Sequence, residues 1–266
     1  MYLSKITLRP NFSQQSQLGR VLTDNSYGIH RLLWDLFPDV EQRCFLFREE
    51  SAREQLGRSK NLPMYYLLSE TLPLADSPLF EVQSKEFSPA LKEGDRLAFK
   101  LRANPVVARR QEGKKHSSHH DVVMDAQRLW LRESCQTLAL DTEGSKGELK
   151  KRLEAHAELP ALLDGAESLN TLLQSRMEVA GKRWLAERGE RNGFSIATNQ
   201  DDEPMLQATG YHWHALPQKG RNAGYASMDY EGELTVTEPT AFLKLLNQGI
   251  GRAKAFGCGL MLVKRV

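Results

Sequence analysis

The sequence predicts an α+β protein of two βαββαβ units in tandem, residues 1–107 and 122–266, joined by a basic linker at 108–121. Three observations carry this expectation. In the first hundred residues, short apolar runs bounded by charged or turn residues alternate with a segment of helical periodicity. Residues 95–102 alternate cleanly, with Leu97, Phe99 and Leu101 on one face and Arg96, Lys100 and Arg102 on the other. Beyond residue 200, three strand-like segments appear with a helix between the last two.

Taken in order, Lys5 to Leu8 reads as a strand, and Asn25 to Phe37 has helical periodicity that stops at Pro38. Residues 44–48 and 64–68 are short apolar strands, 80–87 has no clear pattern, and 95–102 ends at Asn104-Pro105. That order suits a four-stranded antiparallel sheet with two helices on one face. The second unit starts with a helix over 122–134 and has a second helical pattern over 168–188, with a helical insertion at about 130–175. Strands follow at 206–216, 225–236 and 259–264, with a helix from Pro239, a favoured first-turn residue, to Asn247. No internal repeat proves a duplication.

Composition bounds the function. With 40% apolar and 26% charged residues among 266, the chain is an ordinary globular one. Its apolar runs fall far short of the roughly 20 residues that span a bilayer, and the N-terminus lacks the apolar core of a signal peptide. Cys44, Cys135 and Cys258 are scattered without metal-ligand spacing, which fits a reduced cytoplasmic compartment and no membrane association. Net charge is only +2, yet between Arg96 and His116 seven Lys or Arg face one acid, Glu112. Such a cluster attracts phosphates. Charge alone leaves a solvated linker equally open.

On the helix beginning near Asn25, Ile29, Leu32, Leu33 and Leu36 gather on one side and Tyr27, His30, Arg31 and Trp34 on the other. Tyr27 and His30 are three apart and so are neighbours. Imidazole exchanges protons near neutrality, and RNA carries its own nucleophile, the 2′-OH, so a base, an acid and positive charge suffice to cut it without a metal. Packing or hydrogen bonding of the same side chains is the alternative. The segment Gly249–Gly259, with Gly249, Gly251, Gly257 and Gly259, matches neither the P-loop nor the dinucleotide fingerprint. Its glycines let backbone amides approach phosphates, with Arg252 and Lys254 adding charge, or they simply form a turn.

Several stretches, in order, resemble one family, the type I-E CRISPR pre-crRNA endoribonucleases called CasE. They are Met1–Lys5; Tyr27-Gly28-Ile29-His30-Arg31-Leu32-Leu33-Trp34-Asp35-Leu36-Phe37-Pro38; Leu101–Pro105; His120–Ala126; Tyr225–Val236; and the Gly249–Gly259 loop. The resemblance spans nearly the whole chain apart from about 130–175. It implies two ferredoxin-like (RRM-like) domains and cleavage at the 3′ base of a CRISPR repeat stem-loop. The 2′-OH would attack, leaving a 2′,3′-cyclic phosphate and a 5′-OH. It also implies that the protein stays on the mature crRNA within the Cascade complex with other subunits, and needs no metal or cofactor. His30 falls on the family's catalytic histidine and Tyr27 on the tyrosine that assists it in some members, which assigns His30 as general acid or base and Tyr27 as the group orienting the 2′-OH or the phosphate. Family members place a basic hairpin at the Lys219-Gly220-Arg221 turn, which ranks Lys219 and Arg221 first among RNA contacts. Lys100, Arg102, Arg109, Arg110, Arg252, Lys254 and Arg31 follow, since A-form stems are held by shape and phosphate contacts.

Residues 138–153 depart from the family pattern. They faintly resemble a SAP motif, and a lysine-rich amphipathic helix accounts for them as well. His116, His119, His120 and Asp121 lie in a polar tract with no further ligands to complete a metal shell. His212 and His214 flank Trp213 and point the same way on a strand, toward RNA or a neighbouring strand. The alternative function is an inactive RNA-hairpin-binding subunit of the same kind of complex. A generic RRM-type single-strand binder predicts exposed aromatics in a Lys/Arg-Gly-Phe/Tyr strand, and no such strand is found. The enzyme reading fails if the His30 ring is sealed in the interior, remote from positive charge.

Overall fold

The computed structural model describes residues 1–9, 26–50, 64–110, 117–216, 220 and 223–266. They form a mixed α+β protein with two main antiparallel sheets. The first holds β1 (Tyr2–Leu8), β2 (Phe45–Glu49), β3 (Met64–Ser69) and β4 (Phe80–Glu86) in the order β2-β3-β1-β4, with α1 (Ser26–Trp34) between β1 and β2. One face is closed by α1. Ile29, Leu33 and Leu36 bury against Ile6, Leu8, Phe45, Phe47, Tyr65, Leu67 and Phe80, and each fully buried side chain of this size contributes about 1.5–3 kcal/mol.

Two expectations for this unit are corrected. The sheet's fourth strand is Phe80–Glu86, the stretch without a clear pattern, and not residues 95–102. Arg96–Ala103 (β5) instead lies in the middle of the second sheet, so the first sheet ends before residue 107. Alternation at Leu97, Phe99 and Leu101 determines that a strand forms but not which sheet it joins. The connection from β3 to β4 holds no second helix; residues 70–79 are bends and irregular chain, with an isolated bridge from Asp76 to Glu81. The segment is short and contains Pro73 and Pro78, each of which lacks an N–H donor. Leu74 donates its N–H to the Leu36 carbonyl at 3.0 Å, tying this loop to the end of the helix.

The second sheet runs β11-β5-β10-β8, with β9 paired to the other part of the long β10. Its further members are β8 (Phe194–Ile196), β9 (Leu206–Ala215), β10 (Gly224–Val236) and β11 (Met261–Arg265). The expected linker is partly structured: β6 (Val106–Arg109) and β7 (Ser118–Asp121) pair as a two-stranded ribbon. Asp121 then caps α2 (Val122–Thr137), accepting from the Val123 and Met124 amides. Short helices α3 (Lys146–Glu154) and α4 (Leu159–Leu162) lead into α5 (Leu169–Glu190). The faintly SAP-like stretch forms α3, opened by a reciprocal Ser145–Glu148 capping box, and it packs Leu149 and Leu153 with Leu131, Leu169 and Leu173 in a satellite core. Helix α6 (Pro239–Gln248) and α5 cover one face of the second sheet around Leu97, Phe99, Leu101, Trp184, Tyr230 and Phe242.

The two sheets touch through Leu46 and Leu68 of the first and Leu260 before β11, with Leu3, Tyr66 and Leu262 packed around them. The glycine-rich loop lies at this seam. Gly249 (φ +76°) ends α6, and a Cβ there would sit 2.8 Å from Leu46 Cδ1. Gly259 (φ +95°) would place a Cβ 2.8 Å from the Ile250 carbonyl, and its own carbonyl accepts from the Ile250 amide at 2.9 Å to close the loop. Both positions combine a left-handed backbone with no room for a side chain, so the loop's glycines first serve its own path.

Candidate nucleic-acid interface

Helix α1 carries His30 to the seam between its own sheet and the glycine-rich loop. The 3-10 turn Lys254–Phe256 within that loop touches both α1 and β2. The His30 ring does not sit on an open polar face as its spacing suggested. It is 7% exposed, with ring centroids 5.4 Å from Trp34, 5.3 Å from Phe45 and 6.1 Å from Phe47. Burial lowers its pKa below the usual imidazole value, and the nearby Arg43 guanidinium lowers it further. At neutral pH the ring is therefore uncharged and able to accept a proton.

Covered is not the same as remote. Arg43 is exposed and acts on His30, and it also helps to hold the Lys254 ammonium below its usual pKa, behind burial as the larger cause. Lys254 Nζ donates to the Gln248 carbonyl at 2.5 Å, which places the ammonium on the loop. Two cations thus flank the seam. Arg43 was missed by the sequence reading, although its parity with Phe45 and Phe47 was a usable sign: the three share one face of an extended chain. Tyr27 is helical and one turn before His30. Arg31 is exposed on the same helix.

The other expected RNA contacts divide. Arg102 is already engaged, donating from Nε and Nη2 to both Asp229 carboxylate oxygens at 2.9 Å, and Arg48 from the first sheet approaches the same carboxylate at 3.6 Å. This cluster ties the sheets together and leaves Arg102 a poor phosphate ligand. Lys100 lies 3.5 Å from Glu231 in an exposed pair, and Arg109 pairs with Asp125 at 2.9 Å. Arg110 is exposed. Arg252 Nη1 is 2.8 Å from His119 Nε2, linking the loop to the β6–β7 ribbon. Gly251 and Gly257 adopt φ near +73° and +79° within the loop. Lys219 and Arg221 fall outside the described residues, between β9 and β10, as does His116. Among the described residues, no group of three or more His, Cys, Asp or Glu is placed to hold a metal, and no helix is long and apolar enough to cross a membrane.

The open face of the second sheet presents a feature that sequence reading left undecided. His212 and His214 do share a face, as alternation requires. Their ring centroids are 4.5 Å apart at 75°, His214 stacks on Tyr225 at 4.5 Å, and Tyr225 stacks on Phe256 at 4.7 Å. His214 Nε2 and Ser227 Oγ are 2.8 Å apart. Burial, then His212 and Arg102, lower the His214 pKa to about 4.

The chain is similar to known proteins along nearly its whole length. The Cascade subunit CasE of Escherichia coli is 26% identical over 263 residues, covering 98% of each chain. The CRISPR-associated endoribonuclease Cse3 of Thermus thermophilus is 26% identical over 275 residues, covering 99% of each. The solved structure of Thermus thermophilus Cse3 bound to an RNA representing a pre-cleavage complex superimposes with a TM-score of 0.62 at 23% identity, covering 99% of this chain and 98% of that one. With residues 1–265 matching its pattern, this chain belongs to the CRISPR associated protein family.

Proposed function

We propose that the chain is an endoribonuclease that binds the stem-loop of a CRISPR repeat RNA and cuts the precursor once, at the 3′ base of the stem. The observation that carries this reading is His30 at the seam between α1 and the glycine-rich loop, kept neutral by burial with Arg43 acting on it and Lys254 on the loop turn that touches α1. In the reaction the 2′-OH of the nucleotide before the cut attacks phosphorus. Its proton passes to a base, the P–O5′ bond breaks, the departing O5′ takes a proton, and a 2′,3′-cyclic phosphate remains. His30 serves as general base or acid, Tyr27 orients the hydroxyl or phosphate, and the cations offset charge developing on the phosphate, so no metal is needed.

Two ferredoxin-like units frame this site. The support is the strand order: each main sheet places its first strand between its third and fourth, with the second at the edge, if the second unit begins at β5 and β8 and β9 together act as its second strand. The relatives are named as a Cascade subunit and a CRISPR-associated endoribonuclease, which supports retention on the cut crRNA within a cytoplasmic Cascade complex.

The near-complete cover over His30 favours one other reading, an RNA-hairpin-binding subunit that does not cut. A single assay separates the two. The purified protein is incubated with repeat RNA in EDTA beside His30→Ala and a substrate bearing a 2′-deoxy sugar at the cut site. Cleavage by the wild type, equal binding but a rate roughly 10²–10⁴ lower for the variant, and resistance of the deoxy substrate are expected. Wild-type protein that binds and leaves the RNA whole establishes the subunit reading.

A further inference from the structure

We propose that the ring column His212–His214–Tyr225–Phe256 is a stacking site for an unpaired ribonucleotide next to the RNA stem, with the exposed His212 ring as the surface on which the base docks.

The column is built by strand register. His214 lies opposite Tyr225 and His212 opposite Ser227 on β9 and β10, so all four side chains rise from one face of the pair. This is the face that also carries Lys100, Arg102 and Asp229, opposite the one covered by α5 and α6. The His214–Tyr225 and Tyr225–Phe256 pairs stack at 9° and 27°. The stack ends at His214, against which His212 packs edge-on at 75°, and the exposed His212 ring offers its own face to solvent. Nucleobases dock on such faces whatever their sequence, because every base presents a π-face. An aromatic platform of this kind escaped the search for a Lys/Arg-Gly-Phe/Tyr strand because its rings come from two strands and a distant loop.

Placement argues for RNA as the occupant. The inner end of the column, Phe256, belongs to the turn that touches α1, the helix of His30. The segment that joins the strands carrying the other three rings contains Lys219 and Arg221. The column therefore runs from beside the proposed cleavage seam, past the strand ends next to that basic segment at His214 and Tyr225, to His212. Its three ring-to-ring steps of 4.5–4.7 Å keep His212 close to Phe256. The interior is uncharged, since burial keeps His214 neutral above about pH 4, which suits a base and not a phosphate. A metal is a weaker occupant: among the described residues no third His, Cys, Asp or Glu joins the two imidazoles, and structural zinc sites use four ligands.

The inference places a single-strand contact beside the stem-loop site of the proposed function. The test uses the full chain with a repeat stem-loop, 2′-deoxy at the cut, made blunt, extended by four nucleotides at the 5′ end, or extended at the 3′ end. The same four nucleotides are also supplied as a free strand. 2-Aminopurine is placed at each unpaired position in turn. One extension should tighten binding, with 2-aminopurine quenched at one position. His212→Ala should remove that gain, roughly 5- to 150-fold for one stacked base, and leave the blunt hairpin unaffected. His212→Phe should restore the gain, since stacking needs a ring and not an imidazole. Three outcomes overturn the proposal: no extension tightens binding, His212→Ala weakens blunt and extended RNA alike, or Phe fails where His succeeds. If the blunt hairpin does not bind at all, the proposed function fails instead, and quenching of the free strand, abolished by His212→Ala, still decides the column.

Discussion

His30 and His214 are both kept neutral by burial, yet they sit in opposite kinds of surroundings. His30 lies in a nest of Trp34, Phe45 and Phe47 with Arg43 acting on it and Lys254 on the loop turn that touches its helix. His214 is stacked on Tyr225 and tied to Ser227. A lowered pKa alone does not mark a catalytic group. What separates the two is the company: cationic side chains near one ring, and beside the other an aromatic column with an exposed ring at its end.

The sharpest way to break this contrast is to exchange the effects of substitution. His30→Ala should lower the cleavage rate by roughly 10²–10⁴ with RNA affinity nearly unchanged, measured by single-turnover kinetics and filter binding. His214→Phe should leave single-turnover cleavage of a hairpin with one nucleotide beyond the cut near the wild-type rate. If the two variants change places, the roles assigned here are reversed.

Acid titration tests the second ring next. An unfolded His214 takes up a proton near the ordinary imidazole value, whereas the folded one resists until about pH 4. Between these values the unfolded chain binds more protons, so the stability that His214 contributes is present above about pH 6.5 and lost as pH falls toward 4. The loss approaches about 3 kcal/mol at the acid end. His30, whose pKa is also lowered, adds in the same direction. Urea unfolding of wild type and His214→Phe at several pH values should show a shallower acid decline in the variant. Equal declines would place the acid sensitivity elsewhere.

Asp229 marks the boundary between the two environments, since it accepts from Arg102 and lies near Arg48 of the other sheet. Asp229→Ala leaves these guanidinium groups without that carboxylate. The full cost of breaking a buried pair is about 3–5 kcal/mol, and side-chain exposures of 24% and 35% for Arg102 and Asp229 reduce it through solvent screening to about 2 kcal/mol. Denaturant midpoints check it; an unchanged midpoint would show that the sheets are held by Leu46, Leu68 and Leu260 alone.

Much of the second half was legible from sequence: the strands near 206, 225 and 261 and the helix from Pro239 appear within a few residues of their expected ends. These segments combine clear periodicity with strong boundary residues. The placement of Arg96–Ala103 was not legible, because pairing partners are chosen by tertiary packing and not by the strand's own pattern. His30 was recognisable as a titratable ring, but its burial depends on Phe45 and Phe47 from another strand. The aromatic column was invisible for the same reason: Phe256 meets Tyr225 only when the loop folds back over the sheet. Arg102 read as a phosphate clamp because its carboxylate partner lies 127 residues away.

The smallest expected effect concerns Arg43, and it tests whether His30 acts in its neutral form. The Arg43 charge lowers the His30 pKa as the cause secondary to burial, so Arg43→Gln should raise it only slightly, given solvent screening of an exposed charge. If the neutral ring takes the 2′-OH proton, the acid limb of the cleavage pH profile moves to higher pH in this variant, and the rate at the plateau falls only through the lost phosphate contact. If the protonated ring acts as the acid, the alkaline limb moves upward instead. Because burial remains in place, either shift stays modest, and a profile that keeps both limbs fixed would mean that the titrating group is not His30.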